Sequence, residues 1–249
     1  MQVKRFFENL LQSKSTVFNL TETITWLRQM CQLFQISSPS FFENRKKAIQ
    51  KIESSERGEI VMAVCCVNPT GNFIPPAMIF PRKRMKMELY ENAPRGTLAL
   101  VSESGYMNSE LFLNWLQHFV DHVKPCDNDP VLLILDNDAS HCSLQAVEFC
   151  RNHHILLSLP PHSSHMMQPL DRVIFASFKE IYAQEVNKWL CSHPGRSVTL
   201  VQIAGLFKSA FNRIATAGKA ALSFSCTGIY PYNPNVFSEE DFLQANVTH

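Results

Sequence analysis

Charge of either sign is not in excess in this chain. Lys and Arg total 23 against 22 Asp and Glu, a formal net charge of +1. That excludes a global electrostatic footprint, so any surface for a polyanion has to be local. Long apolar runs are also missing. None approaches the roughly 20 residues a membrane-spanning helix needs. The amino-terminal MQVKRFFENL is amphipathic, not a charged stub before an apolar stretch, so no secretory leader is expected. Paired cysteines are absent too. The 8 cysteines (31, 65, 66, 126, 142, 150, 191 and 226) form no CxxC pair, which argues against a zinc module. They are expected to be buried, reduced thiols of an intracellular protein. No internal repeat is visible.

What is present is enough for one large domain, with or without appendages. Apolar residues make up 45% of the 249, ample for a core. Residues 1–15 read as a short helix and 16–20 (TVFNL) as a short strand. Residues 24–55 show no clean periodicity and are expected to be a long irregular segment or a helical excursion. From Glu59 the signal sharpens. IVMAVCCV (60–67) reads as a two-sided central strand. NPTG (68–71) is a turn by composition. FIPPAMIF (73–80) is a second strand of a hairpin, at an edge or starting after Pro76. PRKRMKM (81–87) is a basic loop. SELFLNWLQHFVDHV (109–123) places Leu111, Phe112, Trp115, Leu116, Phe119 and Val123 at helical spacing, with Asn108 or Ser109 as its cap.

The stretch around which the chain is organised is 130–178. The apolar run 131–135 ends at Asp136, and the run 155–159 ends at Pro160–Pro161. A helix is expected at 143–153 between them, capped by Asp138 or Ser140. A long helix is expected from about 169 to 191, with Asp171 in its first turn. Amphipathic helices at 198–216, capped near Ser197, and at 217–227 follow. The stretch 228–235 (GIYPYNPN) reads as an extended tail. Two hairpin strands followed by strands joined through helices is the order of a ribonuclease-H-like α/β fold, with a mixed central sheet and flanking helices.

Functional residues of open α/β sheets collect beyond the carboxyl ends of the strands. Asp136 stands at such an end. If the fold brings Asp171 beside it, the two carboxylates suit a hard divalent cation. The plainer reading of each is a loop or cap residue. His162 and His165 have HxxH spacing but no partner pair, so a cleft-rim role is preferred to zinc, with His165 able to bond a phosphate or the backbone. Arg82, Lys83, Arg84 and Lys86 could contact phosphates, form a solvated loop, or serve as an import signal.

The phrases LLILDNDASH and LSLPPHSSHMMQPLD, followed by a helix with FASFK, resemble the DDE endonuclease domain of the pogo, Tigger and Jerky transposases, a group of the mariner-type superfamily. ERGEIVMAVCCVNPTGNFIPPAMIFPRKRM, ESGYMNSELFLNWLQHFV and TGIYPYNPNVF fit the same group. The resemblance covers about residues 5–237. It implies a domain at 16–237, with 1–15 as a helix or linker and 238–249 as a polar tail. It also implies three acids that hold Mg2+ or Mn2+, DNA as partner, and the nucleus as location. It places the second acid at Asp136 and the third at Asp171. At the first position, in the phrase VFNLTET, the acid is replaced by Thr21.

The departures have physical weight. Thr21 offers a neutral hydroxyl where two ions, roughly 3.5–4 Å apart, need a bridging carboxylate. Glu22 should face away from the site, since strand side chains alternate, unless a bulge turns it inward. Asp138 is a second spare carboxylate, and it replaces the histidine of the group's DNH. Arg172–Val173 stand where small residues are usual. The chain begins at the edge of the catalytic domain, so the group's helix-turn-helix reader is expected to be absent. Two functions remain. One is a catalytically impaired domain that binds nucleic acid or serves as a protein-interaction scaffold. The other is a residual metal-dependent endonuclease using Asp136, Asp171 and a substitute carboxylate.

Overall fold

The computed structural model describes Glu8 and residues 29–37, 60–135, 143–158 and 168–237. Within these residues six strands form one mixed sheet: β1 (Gln29–Ser37), β2 (Ile60–Val67), β3 (Ala77–Pro81), β4 (Leu98–Ser102), β5 (Val131–Ile134) and β6 (Ile155–Ser158). Their spatial order is β4-β3-β2-β1-β5-β6. β2 runs antiparallel to both β1 and β3. The pairs β3–β4, β1–β5 and β5–β6 are parallel. β2 alone therefore opposes the other five, and the carboxyl ends of β3, β4, β5 and β6 share one end of the sheet.

β2 shows why the sheet is central. Its residues from Val61 to Val67 are all buried. Alternation sends Val61, Ala63, Cys65 and Val67 to one apolar cluster and Met62, Val64 and Cys66 to another. Helices cover both faces. On one side lie α1 (Ser109–Val123) and α2 (Leu144–Asn152). On the other lie a π-helical turn (Leu170–Phe175), its continuation α3 (Ala176–Ser192), then α4 (Leu200–Ile214) and α5 (Ala217–Ser225). The α3–α4 contact is aromatic, with the Phe178 and Phe207 rings 5.3 Å apart.

Local chemistry sets most boundaries. Asn108 caps α1, its side chain accepting from the Leu111 N–H at 2.9 Å, and left-handed Lys124 (φ 55°) ends the helix. Three helices close on a histidine whose Nδ1 meets the carbonyl four residues back: His122 on His118, His153 on Phe149 and His193 on Trp189, at 2.8, 2.8 and 2.9 Å. Gly71 (φ 94°) makes the β2–β3 turn against α5. A Cβ there would clash with the Ala217 backbone.

Several expectations need correction. Residues 29–37, expected to be irregular or helical, form β1, which pairs with both β2 and β5. Its sequence QMCQLFQIS spaces glutamine every third residue and so hides the period of a strand. β4 was not anticipated from LALVS. It covers the edge expected of β3, which starts after Pro76. Ser143, not Asp138 or Ser140, caps α2, its hydroxyl accepting from the Ala146 N–H at 3.2 Å. Thr199, not Ser197, starts α4. Gln202 Oε1 accepts from the Thr199 N–H at 3.0 Å and from its hydroxyl at 2.6 Å. The long helix opens with the π turn. The expected extended tail folds back: Ile229 is fully buried, and the Asn233 N–H donates to the Gly228 carbonyl at 2.8 Å. The expected segments 1–15 and 16–20 lie outside the described residues except Glu8, and the polar tail 238–249 lies wholly outside them.

The cysteines divide. Cys65, Cys66 and Cys150 are buried, but Cys126 and Cys191 are exposed, against the expectation that all are internal. Burial pushes the Cys65 and Cys150 thiols up to about 12, and raises Cys66 as well. The thiolate is the reactive form. Disulfide-exchange reagents at pH 8 are therefore expected to label Cys126 and Cys191 within minutes, while Cys65, Cys66 and Cys150 react only after denaturant. Mass mapping of labelled peptides checks this.

Candidate functional site

The carboxyl end of the sheet is where an open α/β sheet places functional residues. Along β5, Val131 and Leu133 join the cluster under α1 and α2, as does Leu135 just after the strand. Leu132 and Ile134 face the opposite cluster. That second cluster also holds Leu170, Ile174 and Phe175 of the π turn, all buried. The π turn lies against β1 as well. Asp171 sits in the first turn of this element and is half-buried. The Arg172 N–H donates to the Gln168 carbonyl at 3.2 Å, carrying the helical bonding back to the buried Gln168. π turns are rare and frequent at functional sites. Asp171 is thus a half-buried polar residue in an element whose apolar residues join the same cluster as Leu132 and Ile134.

Asp136, the residue after buried Leu135, lies outside the described residues, as do Thr21, Glu22, Asp138, His162 and His165. Among the described residues no three His, Cys, Asp or Glu side chains gather as a metal cage. The nine residues of β1, the strand between β2 and β5, include neither Asp nor Glu. A two-ion centre needs a bridging acid. Of the two acids expected to hold a metal, the described residues include Asp171.

The basic loop starts where β3 ends, at Pro81, so it shares the carboxyl end with β5. Three strand spacings separate β3 from β5, roughly 14 Å across the sheet. The cations are not all free of neighbours. Lys83 Nζ lies 3.6 Å from Glu103 Oε1, and Lys86 Nζ lies 3.7 Å from Glu88 Oε1. Arg82 Nη1 donates to the Pro81 carbonyl at 3.1 Å. Arg84 is exposed. Both ion pairs are solvent-exposed and worth about 1 kcal/mol or less, so a phosphate can replace the acid. The loop's local balance is less basic than its sequence alone suggests.

The remaining motifs are settled by packing. Phe112, Trp115 and Phe119, placed at helical spacing by the sequence, are fully buried core residues. Cys150 is a buried residue of the α2 face. The histidine pair His118 and His122 on α1 was not singled out from the sequence. Its signal was the spacing of four on a helix.

A mixed sheet in the order β3-β2-β1-β5-β6, extended by β4 and covered by helices on both faces, is the ribonuclease-H-like arrangement of nucleases and transposases. Residues 57–222 match the DDE superfamily endonuclease family, and the chain belongs to that family. It is also 34% identical over 198 residues to the MFS-type transporter clz9 of Cochliobolus lunatus, covering 77% of this chain and 21% of that protein. The chain thus spans about a fifth of the curated relative it matches. No helix among the described residues is long and apolar enough to cross a membrane. Solved structures of similar shape include the Mos1 strand transfer complex, at a TM-score of 0.45 and 15% identity over 89% of this chain and 60% of that one. The Mos1 transposase catalytic domain with Raltegravir and Mg is another, at 0.43 and 13% over 91% and 94%. Likeness at this level decides nothing about activity.

Proposed function

We propose that the chain is a transposase-derived DDE domain of the pogo, Tigger and Jerky kind that binds nucleic acid and has lost most of its strand-cleaving chemistry. The observation that carries the reading is the phrase VFNLTET, where Thr21 stands in the place of the first metal-binding acid. β1, the described strand that follows it, includes no Asp or Glu that could substitute. Asp136 and Asp171 are the two acids retained. Two carboxylates of this kind would hold one Mg2+ or Mn2+ weakly, since such ions keep several waters and borrow substrate phosphates. DNA would lie along the carboxyl end, between these acids and Arg82, Lys83, Arg84 and Lys86. Such a role belongs in the nucleus.

Two measurements on the full chain test this. Binding of labelled DNA should persist in EDTA, weaken as salt rises, and lose about one unit of the log–log salt slope for each phosphate-contacting cation removed, as in Arg84→Ala. In a supercoiled-plasmid assay with Mg2+ or Mn2+, nicking should not exceed the Asp136→Ala background. Nicking abolished by Asp136→Ala or Asp171→Ala would instead establish a working endonuclease with a substitute acid, such as Glu22 or Asp138.

A further inference from the structure

Away from the carboxyl end, one cluster of ligating side chains has no part in the reading above. We propose that the last turns of α1 carry a binding site for one divalent transition ion of the zinc class, held by the imidazoles of His118 and His122. The two residues are one helical turn apart and share a face. Their ring centroids are 4.3 Å apart, with planes at 56°.

The hydrogen bonds fix which nitrogens are available. His118 Nε2 lies 2.9 Å from the Pro75 carbonyl oxygen, and His122 Nδ1 lies 2.8 Å from the His118 carbonyl oxygen. A backbone carbonyl only accepts, so each of these nitrogens carries the proton and donates. The lone pairs left in the neutral rings are on His118 Nδ1 and His122 Nε2. Metal-bound histidines characteristically tie their other N–H to such an acceptor, which sets tautomer and ring orientation before the ion arrives. The terminal histidines of α2 and α3 make the same carbonyl bond but stack on Phe149 and Trp189, which offer no second ligand.

The surroundings favour a cation. Asp121 lies between the two histidines in sequence, and its charge acts on His118. Its Oδ1 accepts from Gln117 Nε2 at 2.9 Å. No third His, Cys, Asp or Glu completes a cage among the described residues, so the site is a two-imidazole clip finished by water. Imidazole suits Zn2+, Cu2+ and Ni2+, whereas Mg2+ prefers oxygen. Pro75 precedes β3, which puts the clip near the amino end of that strand. An ion here would strengthen the link between α1 and the segment that enters β3.

The test is a calorimetric titration of the full chain with Zn2+ alone, repeated with Mg2+ alone and on three variants. His122→Gln alters an exposed ring. His118→Gln keeps an N–H able to reach the Pro75 carbonyl. Asp171→Asn disables the cleft instead. The site predicts one strong Zn2+ equivalent, weakened about tenfold or more by either histidine variant. Asp171→Asn should bind as the native chain does, and Mg2+ should give no heat at α1. Native-like Zn2+ binding by His122→Gln, loss of the site in Asp171→Asn, or no Zn2+ binding by the native chain would each overturn the proposal.

Discussion

Thr21→Asp is expected to raise Mn2+-dependent nicking of supercoiled DNA by roughly two orders of magnitude, the scale of restoring one preorganised charge-stabilising group. The native chain should stay at background. The reason is charge at one position. Two metal ions held roughly 3.5–4 Å apart repel each other unless an anionic oxygen bridges them. A threonine hydroxyl has the geometry of a ligand but not the charge. Asp136→Ala added to Thr21→Asp should return the rate to background, which ties the gain to the cleft. Gln32→Asp is the companion variant. Gln32 lies on β1 two residues past the Met30–Ile134 register pair, so it probes the central strand directly. Activity from Gln32→Asp and not from Thr21→Asp would move the lost acid onto β1. Activity from neither would overturn the view that one missing carboxylate silences the domain.

Trp115→Ala should cost roughly 3–5 kcal/mol, the range for removing a buried aromatic and leaving its cavity. Trp115 is fully buried in the cluster that joins α1 to the sheet. Its ring stacks on Phe112 at 5.8 Å and tilts against Phe119 at 5.6 Å. For a domain of this size, that is a fall of about 10 °C in Tm, read in a thermal melt. Trp115→Phe should cost much less. The indole Nε1 is buried with no hydrogen-bond partner. Replacing tryptophan by phenylalanine removes that unsatisfied donor as well as the extra ring volume, and the two effects oppose each other. A Trp115→Phe cost as large as that of Trp115→Ala would show that shape alone governs this site.

Periodicity alone located most of the fold. IVMAVCCV reads as a strand buried on both sides, because eight consecutive apolar residues leave no polar face. SELFLNWLQHFVDHV specified α1 to the residue, because its apolar spacing and the Asn108 cap agree. These are local signals, and each is complete within about fifteen residues. The resemblance of LDNDASH and QPLD to known phrases supplied a DDE endonuclease domain, and the match over residues 57–222 bears out that superfamily.

Tertiary structure decided what local signals could not carry. β1 has a glutamine-studded sequence that reads as no element by itself. It is a strand because β2 and β5 offer hydrogen-bonding partners on both sides. β4 exists because the exposed edge of β3 accepts it. The shared end of the basic loop and β5 follows from strand direction, which no short window encodes. The His118–His122 pairing likewise depends on Pro75, 43 residues earlier, fixing a ring nitrogen from another element. Composition and period therefore determined which segments are buried. The pairing of distant backbone donors and acceptors determined where those segments stand, and so which charges face one another.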